Sequence, residues 1–231
     1  MNEEIWDEHR WEDFLKENDR RVDRYMHDLQ QFIQGHPQPN RTNEEAFLNW
    51  KAQLRAYMES RGWADPDLPL GDPDGTPQPP DDAVLSFDEL LNAARFPGGR
   101  EEDEEDINNL PVYHVAVSLA GFVLEWANKL PGEIKDSTLV QYCSQIMQIG
   151  ANLAKGHGIG YEQDMIGGNI ACVKRALASA NAGLSLLHDM REAPYMEEET
   201  YARLYEETFE VRNDVGLYVQ ALRERFELGI D

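Results

Sequence analysis

IGANLAKGHGIGYEQD, residues 149–164, decides how the second half of the chain folds. Three of its glycines, Gly156, Gly158 and Gly160, alternate, as glycines do in some phosphate-binding loops. Such a loop follows a strand and precedes a helix, and a P-loop ends in Lys followed by Ser or Thr. Here an apolar helical pattern precedes the glycines, and no such pair follows them. The stretch is therefore predicted to end one helix at Gly156, in a left-handed conformation, and to turn the chain into the next helix.

Four segments around that turn carry apolar residues at alternating spacings of three and four, the pattern of helices that pack side by side. Short connections at Pro131-Gly132, Gly156–Gly160 and Ala193-Pro194 separate them, which favours antiparallel neighbours. The pattern predicts an all-α fold, an antiparallel up-down four-helix bundle over about residues 111–227, with a third helix of about 31 residues. The predicted core positions are Val115, Leu119, Phe122 and Trp126; Leu139, Tyr142, Ile146, Ile149 and Leu153; Ile166, Ile170, Val173, Leu177, Ala180, Leu184 and Leu187; and Tyr201, Leu204, Thr208, Val211, Val215, Tyr218 and Leu222.

The first half of the chain is predicted to be an acidic helical extension. Residues 1–107 carry 27 acidic and 11 basic side chains, whereas residues 108–231 carry 17 and 10. Apolar spacing predicts helices over about residues 3–34 and 43–61, and a capping pattern at Ser86 opens a short third one. A linker rich in Pro, Gly and Asp lies between the second and third of these helices. The chain is thus expected to divide into regions 1–107 and 108–231.

Composition and charge exclude several classes of protein. No run of about 18 apolar residues occurs, and the acidic N-terminus lacks the apolar stretch of a secretory signal, so we expect a cytoplasmic protein that does not enter a membrane. Two cysteines, Cys143 and Cys172, fall inside apolar helical patterns and are expected to be reduced and packed. The net charge of −23 repels nucleic-acid phosphates at long range and would steer a basic protein partner towards the chain.

Catalytic and metal-binding residues have only weak candidates. Asp23 with His27, and Glu4 or Asp7 with His9, have the spacing of metal ligands, but a di-iron bundle needs Glu-x-x-His motifs on helices that face one core. Spacing alone does not assemble the cysteines and histidines into a nucleophilic triad. We therefore expect no enzymatic activity, no cofactor and no metal site.

A small basic patch is predicted on the bundle at Lys155, Lys174 and Arg175. It is interpreted as a solvated helix face, with a contact for the acidic N-terminal arm and a nucleic-acid contact as the alternatives. The tryptophans of the acidic half are expected to anchor its helices on the bundle, on a neighbouring subunit or on another partner. They are Trp6, Trp11, Trp50 and Trp63.

Residues 108–228 resemble a known family. The stretch LPVYHVAVSLAGFVLEWANKLP, residues 110–131, is similar to the first helix of the small four-helix-bundle proteins encoded by intervening sequences in bacterial 23S ribosomal RNA genes. This family includes the accessory variability protein of diversity-generating retroelements. The stretch NIACVKRALASANAGLSLLHDM, residues 169–190, is similar to the family's third helix. The family's Asn-Ile-Ala-Glu-Gly signature aligns with Asn152, Leu153, Ala154, Lys155 and Gly156.

The resemblance implies a bundle without catalytic residues that forms a ring-like homo-oligomer, a pentamer in the family's best-described members. In the retroelement protein it also implies nucleic-acid binding through a basic surface. This chain departs from that pattern, because Lys155 replaces the signature glutamate and residues 139–144 lack the family's basic pair. We expect a non-enzymatic interaction or scaffold module that self-associates and binds a protein partner. The alternative is a nucleic-acid-binding accessory protein.

Overall fold

The computed structural model describes residues 5–39, 44–63 and 106–229, and every regular element in these ranges is a helix. The all-α prediction is therefore confirmed. The predicted linker and the helix opened by Ser86 lie outside the described residues. None of the described helices combines the length and the apolarity that a membrane span requires. The long helices are α1 (Glu8–Gly35), α2 (Glu44–Ser60), α3 (Pro111–Lys129), α4 (Ser137–Ile159), α5 (Ile166–Asp189) and α6 (Glu198–Leu228).

The described residues fall into two compact units. One contains residues 5–12 and 106–229, and the other contains residues 13–39 and 44–63, so the first turn of α1 belongs to the unit that holds α3 to α6. The predicted division at residue 107 does not anticipate this assignment. Residues 5–12 belong to the first unit because Trp11 is buried in it, as described below.

The helices α3 to α6 share one hydrophobic core. Both α3 and α5 pack against α4 and α6. All five core positions predicted on α4 are buried, as are five of the seven on α5; Leu177 and Leu184 are half-buried. On α6 the polar Thr208 is buried as predicted. Its hydroxyl oxygen lies 3.2 Å from the Tyr142 hydroxyl oxygen, and the two groups form a hydrogen bond. Alternating spacing therefore identified most of the core.

The core face of α3 differs from the prediction. Leu119 is buried as expected, but Val115 is exposed, and Phe122 and Trp126 are half-buried. Small side chains allow α3 to lie close to its neighbours, and the larger ones flank the contact. The residues of α3 that face the core are Val112, Ala116, Leu119, Val123 and Ala127.

Defined caps set the helix bounds of this unit. The Asp136 carboxylate accepts the Leu139 N–H at 2.8 Å at the start of α4, and it accepts the Tyr195 hydroxyl at 2.9 Å. This second bond ties the connection between α5 and α6 to α4. The predicted length of about 31 residues for the third bundle helix is wrong, because residues 160–165 form a turn and α5 has 24 residues. The 31-residue helix is α6.

The second unit is held together by aromatic side chains. Phe32 is buried, and the rings of Trp50 and Tyr57 pack against it with centroids at 5.7 and 5.3 Å. The Trp63 indole N–H donates to the Asp28 carboxylate at 3.0 Å, and the Tyr25 ring meets the indole edge-on. Two of the four predicted anchoring tryptophans therefore pack within this unit.

Candidate functional site

The start of α1 is placed by Asp7, whose carboxylate accepts the N–H groups of His9 and Arg10 at 3.1 and 2.9 Å. A carboxylate that accepts such otherwise unpaired N–H groups is a common helix start. Residues 5–12 are termed the N-terminal segment below. Because Asp7 makes these bonds, the residues that follow it are held as the first turn of α1.

Two adjacent glycines of α5 receive the N-terminal segment. A Cβ on Gly167 would meet the carbonyl oxygen of Trp6 and would lie 2.8 Å from the Trp11 indole. A Cβ on Gly168 would lie 2.9 Å from the same indole. Because neither glycine has a side chain, Trp11 lies directly on the backbone of α5 and is 2% exposed. We term Gly167 and Gly168 the glycine notch.

Three cations bind the two glutamates of this segment. The Glu8 carboxylate accepts the Lys174 ammonium at 3.1 Å and both Nε and Nη2 of Arg223 at 2.9 and 2.6 Å. The Glu12 carboxylate accepts Nε and Nη2 of Arg175 at 2.9 and 3.3 Å. Two-pronged bonds from a guanidinium to a carboxylate are among the stronger and more geometrically specific ion pairs. Lys174, Arg175 and Arg223 are termed the cationic triad.

The electrostatics of Glu8 follow from this geometry. The hydrogen bonds from Arg223 lower the pKa of the Glu8 carboxyl to about 2, with Lys174 acting in the same direction and burial acting against both. The same contact raises the pKa of Arg223. The Glu8 side chain is only 13% exposed, whereas Lys174 and Arg223 are 36 and 46% exposed, so solvent screens these pairs in part. The pair therefore stabilises the docked N-terminal segment.

A pH-dependent stability follows. The folded pKa of Glu8 lies below the ordinary value of 4.5, so its contribution is present above pH 4.5 and is lost as the pH falls towards about 2. Glu8→Gln should lower the free energy of unfolding by about 2 kcal/mol at pH 7, and the difference should shrink as the pH falls. Urea unfolding of both chains at several pH values measures this difference. Glu125→Gln, at a solvent-exposed pair, is the control and should change far less.

Two members of the predicted basic patch have a defined role in the structure. Lys174 and Arg175 contact the acidic N-terminal arm, one of the alternatives left open by the sequence. Lys155 lies half-buried on α4 and forms no ion pair with the other described residues. The sequence analysis did not predict a role for Arg223, because spacing patterns within a helix give no information on its pairing with the distant Glu8. The doubled glycine inside a helical pattern was the available signal for a close backbone contact.

The signature residues lie inside α4 and not in a turn. Asn152 donates from its side chain to the Gln148 carbonyl at 2.9 Å, Leu153 is in the core, and Ala154 is half-buried. The prediction that Gly156 ends the helix with positive φ is wrong. The helix continues to residue 159, and Gly160, with φ +118°, is the residue that ends it.

Gly156 is needed for a different physical reason. A Cβ there would lie 2.7 Å from the side-chain oxygen of Asn169 and 3.2 Å from the Cβ of Cys172. The absent side chain lets α4 and α5 approach closely at this point. Asn169 is fully buried, and its side-chain amide donates to the carbonyl of Gly160 at 3.1 Å. The residues of the turn are therefore held by α5 itself.

A polar cluster lies beside this turn. His157 Nδ1 is 2.7 Å from the Tyr161 hydroxyl, which is 2.9 Å from the Tyr218 hydroxyl. Burial raises the pKa of Tyr218, and its bond with Tyr161 acts in the same direction. Tyr218 therefore stays protonated at neutral pH, which suits a structural hydrogen bond and not a general base.

Neither cysteine forms a disulfide in the structure, and both are at least half-buried. Cys172 is buried, and burial raises the pKa of the half-buried Cys143 thiol. A raised pKa lowers the fraction of reactive thiolate.

The described residues contain no cluster of three His, Cys, Asp or Glu side chains that could hold a metal ion. Asp7, named above as a possible ligand, instead caps the start of α1.

A second surface feature is an apolar face on α3 and α4. Besides its core-facing residues, each helix has further apolar residues at spacings of three and four. In the rows that adjoin each other, the exposed members are Val117 and Leu124 on α3 and Val140 and Met147 on α4, and Val115 of α3 lies outside these rows. A Cβ on Gly150 of α4 would lie 3.7 Å from Val117, so the two rows meet. The apolar face comprises Tyr113, Val117, Ala120 and Leu124 of α3 with Val140, Cys143, Met147 and Gly150 of α4.

A shallow groove of about 430 Å³ lies between α3 and α6. Its walls include Trp126 and Phe122, and the Arg203 guanidinium lies 3.8 Å above the Phe122 ring. Arg203 also pairs with Glu207 at 2.7 Å. The groove is open to solvent, and the Arg203 guanidinium within it already contacts both Phe122 and Glu207.

Comparisons of the chain with protein-family models, with curated proteins and with solved structures found no match.

Proposed function

We propose that the protein is a non-enzymatic helical interaction module that self-associates through the apolar face of α3 and α4. The single observation that supports this most strongly is a local absence of charge. These two helices carry only three charged side chains, Glu125, Lys129 and Lys155, in a chain whose net charge is −23. Like-charged chains repel each other, so a surface on which copies meet must be nearly neutral.

The proposal includes the finer architecture. We infer that α3 to α6 form an antiparallel up-down four-helix bundle, which is supported by their cyclic packing and by the short connections between them. In such a bundle one apolar row on each helix is sufficient to build the core. The further rows on α3 and α4 are then available for contact with another copy. The family resemblance implies a ring-like pentamer, and we retain that as the proposed assembly.

Exposed apolar rows of this kind are unusual on a monomer. Val117, Val140 and Met147 are 46, 61 and 45% exposed, and they belong to neighbouring rows. Contiguous exposed apolar surface marks an interaction site more often than isolated apolar residues do. Burial raises the pKa of the Cys143 thiol within this face, which lowers its fraction of reactive thiolate. The acidic remainder of the chain would attract a basic protein partner at long range.

Sedimentation equilibrium tests self-association directly. We expect the natural chain to form an oligomer, and Met147→Glu to raise its dissociation constant at least about tenfold, because the interface would bury an unpaired charge. Leu217→Glu is the matched control. This residue is 64% exposed and lies on α6, which contributes no residue to the apolar face, so its substitution should leave the assembly unchanged. A monomeric natural chain, or equal effects of the two substitutions, would contradict the proposal.

The alternative is a nucleic-acid-binding accessory protein. Its support is that Lys174, Arg175 and Arg223 gather on one face of the unit. Each of these cations is paired with Glu8 or Glu12, which offsets the positive potential that phosphate binding requires. Retention of labelled RNA and DNA at low and high salt tests this alternative. Salt-sensitive retention that disappears in the double variant Lys174→Gln and Arg175→Gln would favour it over the leading proposal.

A further inference from the structure

We propose that the glycine notch and the cationic triad form a binding site for an acidic, tryptophan-bearing helical turn, and that the N-terminal segment of a second copy can occupy it. In the structure the chain's own residues Trp6–Glu12 fill this site. The site lies on α5 and α6 and is separate from the apolar face of α3 and α4. It would therefore give the protein a second and chemically different association surface.

The recognition chemistry is divided between shape and charge. The notch accepts one indole, because a side chain at Gly167 or Gly168 would occupy the position of Trp11. The cationic triad accepts two carboxylates, at Glu8 and Glu12. These glutamates are four residues apart and so lie on one side of a helical turn. A ligand must therefore present Glu-x-x-Trp-Glu in a helix, which is a much narrower requirement than negative charge alone.

The position of the site permits exchange. Lys174 and Arg223 remain 36 and 46% exposed while they are paired, so the site lies at the surface of the unit. Its occupant contributes one terminal helical turn and none of the 23 residues of the core cluster formed by α3 to α6. Departure of the N-terminal segment therefore leaves that core intact. A second copy carries the same segment, so it satisfies the same shape and charge requirements.

The chain's own segment has an advantage over one supplied by another molecule. Tethering raises its effective concentration at the site, so the occupant from the same chain prevails in the natural protein. Exchange is expected once that occupant is weakened. A suitable experiment therefore disables the segment in one full-length chain and the site in another.

The first chain carries Glu8→Gln and Trp11→Ala, which weaken its own segment and leave the site intact. The second carries Gly167→Leu and Arg223→Gln, which block the site and leave the segment intact. Both also carry Met147→Glu, so that association through the apolar face does not contribute. We expect the mixture to form a one-to-one complex at least about tenfold more tightly than either chain associates with itself, and high salt should weaken it. Analytical ultracentrifugation measures both quantities.

A peptide titration keeps the test independent of the folding of the second chain. A fluorescent peptide of residues 1–16 should bind the first chain at least about tenfold more tightly than it binds the natural chain, whose site is filled. A matched peptide with Glu8→Gln and Glu12→Gln should bind the first chain more weakly. If Trp11→Ala prevents folding, as judged by circular dichroism, a chain with Glu8→Gln alone replaces it in both experiments.

The outcomes are distinct from those for the proposed function. A one-to-one complex together with peptide binding supports the exchange site, whether or not Met147→Glu alters the natural assembly. Absence of both the complex and peptide binding overturns the exchange site. Salt-sensitive binding of RNA or DNA to the first chain without peptide binding also overturns it, and would assign the uncovered triad to nucleic acid.

Discussion

Replacing Trp11 with alanine should lower the free energy of unfolding by about 3–5 kcal/mol, the range for removal of a large buried aromatic side chain. Trp11 is almost fully buried against the backbone of Gly167 and Gly168, and these two glycines have no side chains that could fill the space that it would leave. The loss cannot exceed the free energy with which the N-terminal segment docks, because beyond that the segment detaches. Detachment would also break the pairs of Glu8 and Glu12.

Two measurements separate this local loss from general unfolding. Urea unfolding gives the free energy, and hydrogen exchange of the amides of residues 11 and 12 reports detachment of the segment. We expect those amides to exchange faster in Trp11→Ala while the amides of α4 stay protected. Leu217→Ala, which truncates an exposed side chain, is the control and should change the free energy by less than about 0.5 kcal/mol. Unchanged exchange in Trp11→Ala would mean that the indole does not hold the segment.

Gly156→Leu should destabilise the unit by about 3 kcal/mol, at the upper end of the usual cost of overpacking. The first atom of a new side chain would already lie 2.7 Å from the Asn169 side chain and 3.1 Å from its backbone oxygen. Asn169 is fully buried and bonded to Gly160, so it cannot move aside without losing that bond. Either α4 and α5 separate or Asn169 is displaced. Thermal and urea unfolding of the variant measure the loss.

Other helical glycines provide the matched control. A Cβ on Gly121 in α3 or on Gly216 in α6 would meet no atom within 4 Å. Gly121→Ala and Gly216→Ala should therefore stabilise the protein by about 0.5–1 kcal/mol, because alanine loses less backbone entropy than glycine in a helix. Opposite signs at these positions and at Gly156 would identify close packing as the reason for Gly156. A stabilising Gly156→Leu would refute the proposed contact between α4 and α5.

The sequence predicted the buried residues best on a helix whose large apolar residues all lie on the face that packs into the core. On α4 the large residues from Leu139 to Leu153 coincide with the buried face, so spacing identified it. On α3 the core face includes Ala116 and Ala127, whereas the larger Phe122 and Trp126 flank it. Choosing the largest apolar side chains of α3 therefore predicted the wrong core face for this helix. Periodicity gives the apolar residues of a helix, but neighbouring helices determine which of them face the core.

The candidate site was less predictable because its contacts join distant parts of the chain. The acidic arm was weighed as a contact for Lys174 and Arg175, but their partners could not be named. Arg223 became part of the site only through the packing of α5 and α6. The role of Gly156 was also missed, since the alternating glycines match a helix end as well as a close helix contact. In the structure Gly160 ends the helix, and Gly156, four residues earlier, makes the close helix contact.

The pair between Glu8 and Arg223 also has a consequence for synthesis of the chain. The two residues are 215 positions apart, so the N-terminal segment is made long before its binding site is complete. Ribosomes add about 5–20 residues per second, which leaves Glu8 without Arg223 for about 10–40 s. Chains interrupted before α6 would lack Arg223 and would hold the N-terminal segment less firmly, which leaves that segment more accessible to chaperones and proteases. Full pairing of the first turn of α1 thus marks a polypeptide that has been translated through α6.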